Sequence, residues 1–86
     1  MKIGETYKVT FNEKNPRIVP IGRGRETAVI EVKHKGKLYS LYLSHVDLAR
    51  QVANLEERLG SLMNITILIT KKHMKGRSFR YSLEEA

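Results

Sequence analysis

Apolar and polar positions alternate with two different periods along this chain, and the switches between them divide it into elements. In YKVTF, residues 7–11, Tyr7, Val9 and Phe11 alternate with Lys8 and Thr10, the period-two pattern of a half-buried strand. Residues 27–44, TAVIEVKHKGKLYSLYLS, alternate on both sides of Lys35-Gly36, where a glycine supplies positive φ to a two-residue turn. A hairpin closed there pairs Ala28 with Leu43, Ile30 with Leu41 and Val32 with Tyr39 on a core-facing side. Its other side pairs Val29 with Tyr42, Glu31 with Ser40 and Lys33 with Leu38, a mixed outer surface.

The period changes in SHVDLARQVANLEERLG, 44–60. Leu48, Val52, Leu55 and Leu59 share one stripe with Ala49 and Ala53 beside it, which predicts a helix lying with one face on the sheet. Ser44 is placed to cap it, Asp47 completes a capping-box-like arrangement and complements the dipole, and Gly60 ends it. Its outer face balances acids against bases. Alternation returns in residues 64–73, with Ile65, Ile67 and Ile69 on one side, and again where Phe79, Tyr81 and Leu83 alternate with Ser78, Arg80 and Ser82. A two-residue turn at Lys75-Gly76 would set the isoleucines and the aromatics on opposite faces. A three-residue loop, Met74-Lys75-Gly76, brings them to one face and pairs Ile67 with Leu83, Ile69 with Tyr81 and Lys71 with Phe79. Lys72 and Arg80 then point away from the core on neighbouring strands.

Between the first strand and the hairpin lies NEKNPRIVPIGRGRE, 12–26, with both prolines and two glycines. It reads as a long loop holding at most a short extended piece around Ile18 to Ile21. A loop of this length in a small domain is usually functional or disordered. The predicted order is strand, long loop, strand, strand, helix, strand, strand.

A chain of 86 residues forms one domain, 1–86, with a core of its own and no room for a cleft between domains. It has no cysteine, which excludes disulfides, thiolate metal sites and cysteine nucleophiles. The N-terminal MKIGETYKVTF lacks an apolar leader, and no apolar run approaches the roughly 20 residues that span a bilayer. The expectation is a soluble, unexported, cytoplasmic protein. Its net charge of +7 bears on partners more than on fold. The excess lies in two segments, 12–37 and 70–81, the second with five bases and no acid.

Five strands with one helix between the third and fourth resemble the OB-fold, the small Greek-key barrel used by many single-strand nucleic-acid-binding proteins. The resemblance is architectural, covers essentially the whole chain, and implies a five-stranded, mainly β barrel. In that family the loop between strands one and two and the loop between strands four and five flank the binding groove. Here those loops are 12–26 and 72–77. The resemblance therefore implies a groove with Lys14, Arg17, Arg23 and Arg25 on one rim, Lys72, Lys75, Arg77 and Arg80 on the other, and Lys33, Leu38 and Tyr42 as its floor. Single-strand binders combine a positive track for phosphates with side chains on which bases stack. With no tryptophan and Tyr42 as the tyrosine assigned outward, affinity should lean on charge and depend steeply on salt. Tyr39, Tyr81 and Phe79 are assigned to the core, and Tyr7 is left open.

Other chemistry is poorly motivated. GRGRE, 22–26, lacks the spacing of a phosphate loop and no helix follows it. His34, His45 and His73 lack a metal-ligand spacing, and no serine or paired carboxylate sits in a catalytic pattern. The expectation is a protein that is not an enzyme, without cofactor or metal. It binds single-stranded DNA or RNA, DNA favoured, with low sequence specificity and no membrane attachment. The alternatives are a subunit that meets a protein partner or a second copy of itself, and a module for structured RNA.

Overall fold

The computed structural model describes residues 4–73, 76 and 79–86, with Phe79 described through its backbone alone. Its elements are β1 (Thr6–Phe11), β2 (Arg17–Gly22), β3 (Arg25–His34), β4 (Lys37–Tyr42), α1 (Val46–Leu59), β5 (Thr66–His73) and β6 (Phe79–Glu85). All six strands join one antiparallel sheet, organised on the ten-residue β3. One edge of β3 carries β4, while the other is shared end to end by β2, alongside residues 25–29, and β1, alongside Val32 and Lys33. The ladder then continues from β1 to β5 and from β5 to β6. No helix among the described residues is long and apolar enough to cross a membrane.

The sixth strand corrects the five-strand expectation. What reads as a long loop from 12 to 26 is mostly a hairpin, β2 and the start of β3, turning at Arg23-Gly24. Both turn residues have positive φ, 52° and 71°, matching 52° and 78° at Lys35-Gly36 in the next hairpin. Positive φ at both central positions is the turn geometry whose twist suits paired strands. Pro20 argues against a strand in the sequence, but β2 is an edge strand on which a proline is tolerated, and the register shifts between Pro20 and Gly22.

The β3–β4 register is the expected one throughout, from Val29 opposite Tyr42 to His34 opposite Lys37. The β5–β6 register differs from expectation by two residues: Ile69 faces Leu83, Lys71 faces Tyr81 and His73 faces Phe79. An even shift leaves every side chain on its predicted face, which is why the alternation alone could not detect it. Residues 74–78 make the connection, so it is longer than three residues, and Met74 and Lys75 of the expected loop lie outside the described residues.

The sheet is not closed into a barrel. Closure would require β4 and β6 to pair, and the free edge of β6 is occupied by α1. The Gln51 amide nitrogen donates to the Tyr81 carbonyl at 2.5 Å, and its oxygen accepts from the Leu83 N–H at 3.1 Å. One side chain thus fills two positions that a neighbouring strand would take. Asp47 Oδ2 accepts from the Tyr81 N–H at 3.3 Å, and Arg58 pairs with Glu85 further along. Asp47, Gln51 and Arg58 form a polar stripe at helical spacing that covers the strand edge.

On the face next to that stripe, α1 buries Leu48, Val52 and Leu55. They meet Val9 and Phe11 of β1, Ile30 and Val32 of β3, Leu43, and Ile67 and Ile69 of β5. Leu62, in the link between α1 and β5, is fully buried, a core position that neither period marks. Its N–H donates to the Lys14 carbonyl at 3.0 Å, tying the loop after β1 to the floor of the core.

Four further expectations change. The N-cap is His45, whose Nδ1 accepts from the Asp47 N–H at 3.2 Å, in place of Ser44. Leu59 is 37% exposed, because the last turn of α1 runs past the sheet. Tyr39 is 50% exposed and not core, because the unclosed seam leaves β4 without a covering neighbour on that side. Val29 is buried to 3% on the outer side, where its cross-strand neighbours Arg17 and Tyr42 flank it.

Replacing Gln51 with leucine should remove both bonds while keeping the apolar stem, leaving a backbone donor and acceptor of β6 unsatisfied. A loss of about 1 to 3 kcal/mol is expected from urea unfolding. Arg58→Ala, which breaks an exposed ion pair, should cost under about 1 kcal/mol in the same assay.

Candidate nucleic-acid interface

Strand alternation decides which side chains leave the core, and on the outer face of this sheet many of them are cationic. Leu38 of β4 stands opposite Lys33 of β3, and Lys33 opposite Thr10 of β1. Two residues back on the same face of β1 is Lys8, opposite Leu68 of β5, which in turn faces Glu84 of β6. Lys72 of β5 and Arg80 of β6 are directly opposite one another. Lys8, Lys33, Lys72 and Arg80 are all exposed, and none makes an ion pair among the described residues. Like charges directly across a ladder destabilise it, so the fold itself gains nothing from the Lys72 and Arg80 pairing. The charge of Arg80 does reach Asp47 at the start of α1.

A second row crosses β2, β3 and β4: Arg17, Val29, Tyr42. Tyr42 and Leu38 are each 54% exposed, as a binding floor requires. Arg17 has another occupation. Its Nε donates to Glu13 at 2.9 Å, and the same carboxylate accepts from the Glu31 N–H at 2.7 Å. The hydrogen bond from Arg17 is the main cause that holds the Glu13 carboxyl below the usual carboxylate range, and the reciprocal bond raises the Arg17 guanidinium. This pair pins the loop after β1 onto β3. Arg17 therefore carries a structural role that weakens its claim as a phosphate ligand.

Arg23 is in the β2–β3 turn and Arg25 opens β3, both exposed. Lys14 is exposed in the bend after β1. Lys75 and Arg77 lie outside the described residues. The two basic segments are not adjacent. The β2–β3 hairpin follows the C-terminal end of β1, whereas Lys72 lies beyond Thr70, the partner of Thr6 at the N-terminal end. The six residues of β1 separate them by about 20 Å of strand. Lys8 and Lys33 fill that interval. Lys8 is not part of the groove that the OB-fold resemblance implies, and its polar place in YKVTF is the signal that could have found it. Among the described residues no cluster of three His, Asp or Glu is arranged to hold a metal ion.

No protein-family profile matches this chain, and neither a curated protein nor a solved structure matches it.

The two lowered carboxylates carry a pH dependence. Asp47 is held down chiefly by its hydrogen bond from Arg50, with further help from the Tyr81 N–H. A folded-state value below the unfolded one means the stabilisation from Glu13 and Asp47 is complete above the ordinary carboxylate range, about pH 4 to 4.5. It is then lost as pH falls through the lowered values. The urea midpoint should fall through that acid window, and Glu13→Gln should flatten the fall. An unchanged acid slope in Glu13→Gln would remove this carboxylate from the account.

Proposed function

We propose that this protein binds single-stranded nucleic acid, DNA in preference to RNA, along the basic outer face of its sheet and with little sequence preference. The observation that carries the proposal is the set Lys8, Lys33, Lys72 and Arg80, exposed on four adjoining strands and without ion-pair partners among the described residues. By contrast Arg17 on the same face, and Arg50 and Arg58 on α1, are engaged by acids. Unpaired cations spaced along a sheet can follow a phosphate backbone and release its counterions, an attraction that carries no sequence information. Leu38 and Tyr42 supply apolar and aromatic surface beside Lys33 for bases.

The element order, with the helix between β4 and β5, supports an OB-fold-like module whose seam is held by α1 instead of by a strand. In this reading the chain is a binder and not an enzyme, and it works in the cytoplasm. The β2–β3 hairpin with Arg23 and Arg25 extends the track beyond β1, and Lys14 stands beside its base.

Oligonucleotide affinity should fall linearly on a logarithmic salt scale. Lys8→Ala and Lys33→Ala should each take away one phosphate ligand and so reduce the slope by about 0.7. Reversal of both Lys72 and Arg80 to glutamate should abolish binding at moderate salt while the far-ultraviolet circular dichroism stays unchanged. Normal binding by that folded double variant would refute the assignment of this face. Competition among single-stranded DNA, single-stranded RNA and duplexes decides the polymer.

A further inference from the structure

The unclosed seam between β4 and β6 leaves a cleft of about 360 Å³. All four tyrosines of the chain line it, Tyr7, Tyr39, Tyr42 and Tyr81, together with His34 and Leu48. Three of the rings, Tyr7, His34 and Tyr39, are in contact with one another in series. Tyr7 and His34 have centroids 5.2 Å apart, and His34 and Tyr39 are 6.1 Å apart edge to face. Tyr81 is backed by the His45 ring at 5.0 Å. His34 is held in place by its Nδ1 contact to the Lys8 carbonyl at 3.0 Å, and the Tyr7 hydroxyl donates to Glu5 at 2.6 Å. Anchored rings of this kind present faces to a ligand with little loss of side-chain freedom.

One wall of the cleft is also a strand edge. The Leu43 N–H donates to the Ala28 carbonyl, so by antiparallel alternation the backbone groups of Leu38 and Ser40 turn away from β3. They face the seam, and no strand lies beyond them among the described residues. The site thus offers aromatic faces and, at its margin, a row of backbone donors and acceptors. Its surroundings are cationic. A neighbouring pocket lined by Arg50, Lys72 and Arg80 shares Tyr81 with the cleft, with Asp47 as its one acid, itself paired to Arg50. At the other end Lys37 stands opposite His34.

We propose that the cleft receives one unstacked base of the bound strand, held between Tyr39 and Tyr81, while the flanking phosphates meet the Lys72 and Arg80 pocket. This rests on the nucleic-acid function proposed above. It assigns stacking to Tyr39 and Tyr81 at the open seam, where Tyr42 reaches the cleft from the outer-face side of β4. A planar heteroaromatic ring fits a cleft walled by rings, and a polyanion fits its rim, whereas a purely apolar ligand would leave the strand edge and the cations unused.

The test uses the full chain with ¹³C-labelled tyrosine rings and four probes: oligothymidylate, an abasic deoxyribose-phosphate oligomer of equal length, thymidine monophosphate, and an acidic peptide of alternating apolar residues. Oligothymidylate should shift the Tyr39 and Tyr81 ring resonances, and the abasic oligomer should bind without shifting them. Tyr39→Leu should weaken oligothymidylate binding by at least about fivefold at an unchanged salt slope, and Tyr39→Phe should bind like the parent. Salt-dependent binding with unmoved rings and a neutral Tyr39→Leu would overturn the cleft assignment and leave the outer-face reading intact. Failure of both oligomers to bind would overturn the outer-face reading; ring shifts with thymidine monophosphate would then keep the base site and make a free nucleotide its source. Tighter binding of the peptide, with protected Leu38 and Ser40 amides, would overturn the proposal in favour of strand addition at β4.

Discussion

The architecture depends on how the outer edge of β6 is satisfied. A strand edge in a small sheet must pair, be covered or face water. Here the Gln51 side chain accepts from the Leu83 N–H and donates to the Tyr81 carbonyl, while Asp47 accepts from the Tyr81 N–H. With those groups taken, β6 cannot also pair with β4, and the sheet stays open. The same helix sends Leu48, Val52 and Leu55 into the core from its adjoining face, so one element both fills the interior and ends the ladder. The exposure of Tyr39 and the cleft beside it follow from that choice.

Charge is divided between two uses. Where an arginine has a carboxylate within reach, as in Arg17 with Glu13 or Arg50 with Asp47, the pair fixes a loop or a helix start. Lys8, Lys33, Lys72 and Arg80 form no ion pair among the described residues, and they lie on a face that the fold does not need them on. Paired groups lose much of their value to an external anion, since binding must first displace the internal partner. The distinction separates candidates that composition alone treats as equal.

Much of the fold was legible because period-two and helical patterns report which face a residue occupies. The β3–β4 hairpin was readable to the residue, since a turn glycine fixed its register and both faces agreed with it. The second hairpin was not: its slip of two residues preserves every face, and the helix residues that bond β6, Asp47 and Gln51, lie far away in sequence. The strand β2 was hidden by Pro20 and by its mixed, largely exposed surface, although Arg23-Gly24 carries the same turn signal as Lys35-Gly36. Of the candidate site, Lys33, Leu38, Tyr42, Lys72 and Arg80 stand on the outer face as the alternation requires. Lys8 joins them from a strand that the groove of the resemblance does not include, and the engagement of Arg17 by Glu13 depends on a loop fold that no local pattern encodes.

By itself the sequence determined the strands β1, β3, β4, β5 and β6, the helix, the first hairpin register and the sidedness of nearly every charged residue. These follow from local geometry, in which side-chain direction is tied to chain position by the period of the element. Only the tertiary structure decided that the sheet stays open, that His45 caps α1, that Leu62 is core and that four tyrosines distant in sequence converge on one cleft. Each of these is a competition between partners far apart along the chain, settled by which arrangement satisfies the backbone of β6 while burying the face of α1.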